Sequence, residues 1–264
     1  MYLWKYWRES RIPFLIGLLL IGLHMTVILS GHGHVTVTGG PGSASDLRHP
    51  GVGDDLRQVA SVLLVFFYVQ IAPLGFFAWL VGSFGVGRDL GEGAGSFLFT
   101  RPRKRAAFVW SDWGCGMAEV VVMCILGNLA IGMMIHRILL GMGDPLGGRI
   151  VFGDNAVPLS AAMTMSAVGG ILIAGLIFSV TYASTVVVRH ARGVILSIGL
   201  FVGYLIVGGI VHHYWEAVEF PDLTLHAFTP HGPNTGAGLE IALRLLVLFL
   251  FPLLAQFSLE RAEL

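Results

Sequence analysis

Two polar side chains, Glu119 and Asn128, stand inside an otherwise apolar run of this sequence, residues 114–134. A carboxylate in such a run usually faces a protein interior or a water-filled path, and it is therefore a candidate for function. The structural alternative is that Glu119 lies close enough to a membrane surface to reach water. An asparagine deeper in the run can hydrogen-bond between helices. We therefore interpret Glu119 and Asn128 as candidate residues of a polar pathway.

A second group of chemistry-bearing residues lies between residues 87 and 113. Its sequence, GRDLGEGAGSFLFTRPRKRAAFVWSDW, holds five of the 16 Lys and Arg residues of the chain. Two acids, Asp89 and Glu92, stand among glycines ahead of the apolar stretch Phe97–Phe99, and a basic cluster follows. A membrane anchor needs the basic cluster alone, whereas the apolar stretch needs lipid headgroups or another protein to cover it. The segment therefore predicts an amphipathic helix that lies along a surface.

Histidine is the residue type here that most readily binds a metal. The chain has 10 His, and imidazole suits zinc, copper and nickel. A tight site needs three or four converging ligands, and the spacing of HGH at 32–34 and HH at 212–213 shows no such convergence. We therefore predict no metal site. The histidines between the apolar runs are interpreted as solvated loop residues: His32, His34, His49, His136, His212, His213, His226 and His231.

The sequence lacks the loop that would let it hold ATP by itself. A P-loop requires Gly-Lys followed by Ser or Thr, and both lysines of this chain, Lys5 and Lys104, follow other residue types. The net charge is +0, which argues against a nucleic-acid partner. The two cysteines, Cys115 and Cys124, are separated by about 13.5 Å along a helix, which is too far for a disulfide.

Composition places the whole chain in a membrane. It is 55% hydrophobic and 12% charged, with a mean hydropathy of +0.78, and soluble domains carry about twice that charged fraction. Runs of about 18 or more apolar residues predict membrane spans, and lipid forces each span to be helical. We predict an all-α polytopic membrane protein, residues 1–264 forming one domain. Its six spans are 12–29, 59–84, 114–134, 159–188, 193–211 and 241–259.

The distribution of basic residues predicts the orientation. Eleven of the 16 Lys and Arg residues fall on the side that holds both termini, the loop 85–113 and the loop 189–192. Positive loops stay in the cytoplasm during insertion, so both termini are expected there, in a bacterial-type inner membrane. The external connections, 30–58, 135–158 and 212–240, are rich in turn residues and are expected to be loops with short helical pieces at most.

Several predicted spans carry small residues four positions apart. Such rows let helix backbones approach closely in lipid. Packing within one bundle is the simpler interpretation, and a contact between subunits is the alternative. The rows are Ser166, Gly170 and Ala174; Gly175, Ser179 and Ala183; and Gly199 and Gly203.

The segment between the second and third runs resembles a known family, the permease subunits of type-2 ABC exporters. In those proteins a coupling helix between spans two and three reads G-x-L-x-x-L-L-[ST]-x-P-[VI]-[ST]-R. The opening WKYWRESRIPFLIGLLL also looks like the amphipathic start of that family. Arg103 and Lys104 depart from the family pattern by being basic. The residues that fall on the pattern are Gly95, Phe97, Leu98, Phe99, Thr100, Arg101, Pro102 and Arg105.

The resemblance implies that these residues, with Asp89 and Glu92, dock onto a separate ATP-binding-cassette ATPase subunit. ATP and magnesium would then bind in that partner, leaving this chain a non-enzymatic permease without a cofactor of its own. A second permease, either identical or related, would complete the pathway in the lipid bilayer. Substrate would move outward by alternating access.

Two other functions fit the sequence. A haem-binding electron-transfer subunit would use pairs of histidines as axial ligands. The third possibility is a non-catalytic membrane scaffold. The histidines available for haem are His24, His136, His190, His212 and His213.

Overall fold

The computed structural model describes residues 11–23, 26, 73–84, 88, 105–141, 149–152, 155–188, 191–214 and 237–261. Within these residues the chain is helical apart from one two-stranded hairpin. The helices are α1 (Arg11–Leu23), α2 (Pro73–Ser83), α3 (Arg105–Gly141), α4 (Leu159–Val188), α5 (Ala191–Tyr214) and α6 (Ala237–Arg261), and the strands are β1 (Arg149–Phe152) and β2 (Asn155–Pro158).

Three of these helices contain stretches long and apolar enough to cross a membrane. The stretches are Ala106–Met133, Ser166–Val188 and Ile241–Arg261. Three shorter apolar helical stretches accompany them: Arg11–Leu23, Pro73–Ser83 and Ala191–Tyr204. Each coincides with part of a predicted run. The helical class is therefore confirmed for the described residues, and three of the six predicted runs have the length and composition of membrane spans.

The helix α3 is longer than the predicted span 114–134 at both ends. It begins at Arg105, the last residue of the basic cluster RPRKR, and continues to Gly141. The added first turns contain Trp110 and Trp113, although tryptophan is a residue type enriched at membrane interfaces. Trp113 is buried and Trp110 is partly buried, because both indoles pack against neighbouring helices.

The connection 135–158 was expected to be a loop, and this prediction is wrong. Strands β1 and β2 pair antiparallel, with Arg149 opposite Pro158 and Phe152 opposite Asn155. The sequence signal was present: β-branched residues flank a Gly-Asp pair at 153–154, a combination that favours a two-residue hairpin turn. Pro158 ends β2, and α4 begins at the next residue.

Helix α4 lies at the centre of the bundle, packing against α3, α5 and α6. A series of contacts shows that α3 and α4 are antiparallel, since Trp113 contacts Ser179 and Gly132 lies against Met163. Helix α6 is antiparallel to α3 in the same way, because Trp110 contacts Gln256 and Trp113 contacts Phe249. Helices α4 and α6 therefore run in the same direction.

Aromatic and apolar side chains join α1 and α2 to this core. The rings of Phe14 and Phe77 meet edge-on with centroids 6.4 Å apart. Gly17 of α1 lies directly against Phe77 and against Met123 of α3. A larger residue than glycine would not fit there without displacing both side chains.

The outward faces of α5 and α6 are apolar. Ile195 and Val202 of α5 are 69% and 49% exposed, and Leu246 and Phe257 of α6 are 62% and 54% exposed. Large apolar side chains at regular helical spacing on an outer surface are what contact with lipid requires.

The rows of small residues on α4 pack within the bundle, as expected. Gly175 lies against Met117 of α3 and Leu248 of α6, and Ser179 receives a hydrogen bond from α3. The row on α5 is different. A Cβ atom added at Gly199 or Gly203 would meet no described atom within 4 Å.

Candidate functional site

Three hydrogen bonds join the first turns of α3 to other helices. The indole of Trp110 donates to Oε1 of Gln256 on α6 at 2.8 Å. The indole of Trp113 donates to Oγ of Ser179 on α4 at 3.0 Å. The hydroxyl of Tyr182, also on α4, donates to the carbonyl oxygen of Val109 at 3.2 Å. We call these three bonds the α3 clamp.

Ring packing reinforces the α3 clamp. The rings of Trp110 and Trp113 meet edge-on with centroids 5.6 Å apart, and Trp113 lies 5.4 Å from Phe249 of α6. The amide of Gln256 also donates to Glu260 at 2.9 Å, which fixes the orientation of its acceptor oxygen toward Trp110. Aromatic pairs of this kind add about 0.5–1.5 kcal/mol beyond the area they bury.

The same end of the bundle holds further links between helices. Thr185 of α4 donates to the carbonyl oxygen of Gly82 on α2 at 3.3 Å, and Trp79 of α2 donates to Ser197 of α5 at 3.2 Å. Gly193 of α5 lies directly against the backbone of Ser184. Helices α2 to α6 are therefore tied together at the end where α2 finishes and α3 begins.

The segment predicted to couple to an ATPase connects those two helices. Residues Asp89, Glu92, Gly95, Phe97, Leu98, Phe99, Thr100, Arg101 and Pro102 lie outside the described residues, and Arg105 is the first residue of α3. At the other end of the segment, the exposed Arg88 places its guanidinium 5.7 Å from the centroid of the Phe84 ring. Both ends of the segment therefore connect to the bundle at the end where hydrogen bonds join helices α2 to α6.

The two candidate pathway residues are both buried, with Glu119 8% and Asn128 4% exposed. The structure does not bring them together. Nine residues of α-helix separate them by about 13.5 Å and turn them to opposite sides of α3. Glu119 stands one turn before Met123, which contacts α1, and so faces the α1 side of the bundle.

Asn128 lies where α3 meets α4. Its amide nitrogen donates to the carbonyl oxygen of Cys124 at 2.8 Å. Its amide oxygen is buried and accepts no hydrogen bond from the residues described here. A Cβ added at Gly170 of α4 would lie 3.9 Å from the amide nitrogen of Asn128 and 4.0 Å from Sγ of Cys124.

Arg244 is a buried polar residue that sequence reasoning missed. It is 8% exposed and lies within the span-length stretch Ile241–Arg261 of α6. The signal that identifies it is its spacing, because Arg244 stands four residues before Leu248, whose side chain faces α4.

Among the residues that the structure describes, few side chains could serve as ligands for a metal or a haem. Within them, no group of three or more His, Cys, Asp or Glu side chains lies close enough to hold a metal ion. His136 is exposed near the end of α3. The other haem candidates, His24, His190, His212 and His213, fall outside the side chains that the structure describes.

Comparison with known proteins identifies no relative of this chain. No protein-family model, no curated protein and no solved structure gives a significant match to this chain.

Proposed function

We propose that this chain is the membrane-spanning permease subunit of an ABC exporter, coupled to a separate ATPase through the segment 89–105. In this proposal the bundle has six spans and both termini lie in the cytoplasm. The proposal draws on the resemblance of that segment to a coupling helix and on the distribution of basic residues. The observation that carries it is the α3 clamp, which begins four residues after Arg105.

The clamp provides a way to transmit force. A push on the coupling segment reaches α3 at its first residue. Because Val109, Trp110 and Trp113 are bonded to α4 and α6, those two helices must move with α3 or three hydrogen bonds must break. Interhelical hydrogen bonds in membranes are worth about 0.6 kcal/mol each and rarely exceed about 1.7. Three such bonds, together with the ring packing around them, favour joint movement of α3, α4 and α6.

Joint movement of α3, α4 and α6 relative to α1 would serve alternating access. Helix α1 contacts this group through apolar side chains, such as Gly17 against Met123. Apolar contacts are less directional than hydrogen bonds, so sliding at that contact costs less than breaking the clamp. The pathway would then open between α1 and α3, on the side that Glu119 faces.

The test is purification of the tagged full chain from native membranes, followed by assay of ATP hydrolysis. We expect a co-purifying ATPase. Replacement of Phe97, Leu98 and Phe99 together by Ser should remove that ATPase while the chain remains inserted and correctly folded. Ser96→Ala, in the same segment, is the matched control and should retain it. Undiminished ATPase recovery with the triple variant would contradict the docking role.

A further inference from the structure

Gly170 of α4 is buried and lies beside a space that no described atom fills. A Cβ atom added there would lie 3.9 Å from Nδ2 of Asn128, 3.9 Å from Cδ1 of Leu74 and 4.0 Å from Sγ of Cys124. Apolar atoms in contact lie at such distances, so the space has the size of about one methyl group. The buried Gly175, on the same helix, is different, because a methionine side chain of α3 fills the corresponding space.

The side chain of Asn128 brings a hydrogen-bond acceptor to this space. Asn128 is 4% exposed, and its Nδ2 donates to the carbonyl oxygen of Cys124 at 2.8 Å. Its Oδ1 is buried and accepts no hydrogen bond from the described residues. Because Oδ1 and Nδ2 are bonded to the same carbon atom, they are at most about 2.5 Å apart, and Oδ1 lies within about 6.5 Å of the centre of the space. A buried acceptor of this kind destabilises the fold unless a ligand or a water molecule supplies a donor.

The residues around the space determine which chemical group it suits. None of the described side chains that border it is charged, and Glu119 lies on the opposite side of α3. An ion placed there would lose its hydration without gaining a counter-ion. A hydroxyl or an uncharged N–H group would instead donate to Oδ1, with its apolar part against Leu74. Sites for small molecules commonly lie between the helices of a bundle and combine an apolar lining with a few polar groups.

We propose that Asn128, Cys124, Leu74 and Gly170 form a binding site for the hydroxyl or N–H end of an uncharged, mainly apolar molecule, where α2, α3 and α4 meet. The position supports this, since polar residues inside membrane bundles are costly and usually serve a function. That the bound molecule is a transported substrate rests on the proposed transport function. Binding can be measured without the ATPase, so the two proposals can fail separately.

Cys124 is a native reporter for the site, because its Sγ borders the same space. With Cys115→Ser as the background, Cys124 is the remaining thiol of the purified full chain. It is reacted with two methanethiosulfonates of equal length, the 2-hydroxyethyl and the propyl reagent, which differ by one donor group. The ratio of the two rates is divided by the same ratio for Cys115 in the Cys124→Ser protein. This division corrects for the different partitioning of the reagents into detergent.

We expect the corrected ratio to favour the hydroxyethyl reagent about five-fold, which is the preference that one net hydrogen bond provides. Asn128→Leu has a similar size and no acceptor, so it should remain folded and bring the ratio close to one. A ratio close to one in the background protein would mean that a water molecule alone satisfies the amide, and it would overturn the proposal. An unchanged preference in Asn128→Leu, or a Cys124 that reacts with neither reagent, would do the same.

Gly170→Ala provides a second variant that does not depend on the folding of Asn128→Leu. Its methyl group fits at ordinary contact distances, so the melting temperature should stay the same while the space is filled. Both reagents should then react with Cys124 several-fold more slowly. Gly199→Ala, where an added Cβ meets no described atom within 4 Å, is the matched control and should leave both rates unchanged. Rates in Gly170→Ala equal to those of the background protein would show that this space does not admit the reagents, and they would contradict the site.

Discussion

The indole nitrogen of Trp110 donates a 2.8 Å hydrogen bond to the side-chain oxygen of Gln256 and so joins the start of α3 to the end of α6. The two residues are separated by 146 positions in sequence. Their contact places the last turns of the chain directly beside the helix that follows the basic segment. This bond therefore couples the position of the first turns of α3 to that of α6.

The first prediction concerns this bond. Trp110→Phe keeps an aromatic ring but removes the donor, and Gln256→Leu removes the acceptor. We expect each change to lower the free energy of unfolding by about 0.5–2 kcal/mol. The double variant should lose less than the sum of the two, which a double-mutant cycle measured by thermal or denaturant unfolding in detergent would show. Strict additivity would mean that the bond contributes nothing.

The second prediction compares two glycines of α5. A Cβ at Gly193 would meet the backbone of Ser184 and Thr185, which cannot move aside, whereas at Gly199 it would meet no described atom within 4 Å. We expect Gly193→Ala to destabilise the protein by about 1–3 kcal/mol. Gly199→Ala, the matched control, should be neutral or slightly stabilising because alanine is the better helix former.

Thermal stability of the two alanine variants, measured side by side in one detergent, checks this comparison. Equal melting temperatures for Gly193→Ala and Gly199→Ala would show that α4 and α5 are not in close backbone contact.

The third prediction concerns Glu119, which is buried in α3 on the side that faces α1. Glu119→Gln keeps the shape of the side chain but removes its charge and replaces one acceptor oxygen by an N–H donor. If this carboxylate lines the path, the variant should be expressed at the wild-type level while ATP hydrolysis by the assembled complex changes several-fold. Expression and hydrolysis that both match the wild type would leave Glu119 a structural residue.

The fourth prediction separates transport from electron transfer. The purified chain should be colourless and show no Soret band, because a permease subunit of the proposed kind carries no haem. Spectra should be taken from protein purified without added haem and again after haem is supplied during expression. A Soret band that disappears on replacement of one histidine would instead support the haem alternative.

The helices could be predicted from the sequence because an apolar run in lipid must satisfy its backbone hydrogen bonds internally, as a helix does. The run 159–188 was placed correctly at both ends, since Pro158 precedes it and Arg189 follows. The hairpin before it was missed because its glycines and prolines also fit a loop. Turn residues alone do not distinguish a loop from a pair of short strands.

The buried polar groups were only partly predictable. Glu119 and Asn128 were recognisable as polar residues inside an apolar run. They lie on opposite sides of α3, and which neighbouring helix each side faces is set by the packing of the bundle. Residue type alone would place Trp110 and Trp113 at a membrane interface. Their burial depends on Ser179 and Gln256, partners that no local pattern connects to them.

The central claim is that the segment between α2 and α3 faces the cytoplasm, where an ATPase can dock. The most direct measurement is labelling of Ser96→Cys in a protein whose native cysteines are both replaced by Ser. A membrane-impermeant maleimide added to intact cells should leave this cysteine unlabelled, and the same reagent should label it after the membrane is permeabilised. Labelling in intact cells would place the segment outside and contradict the account.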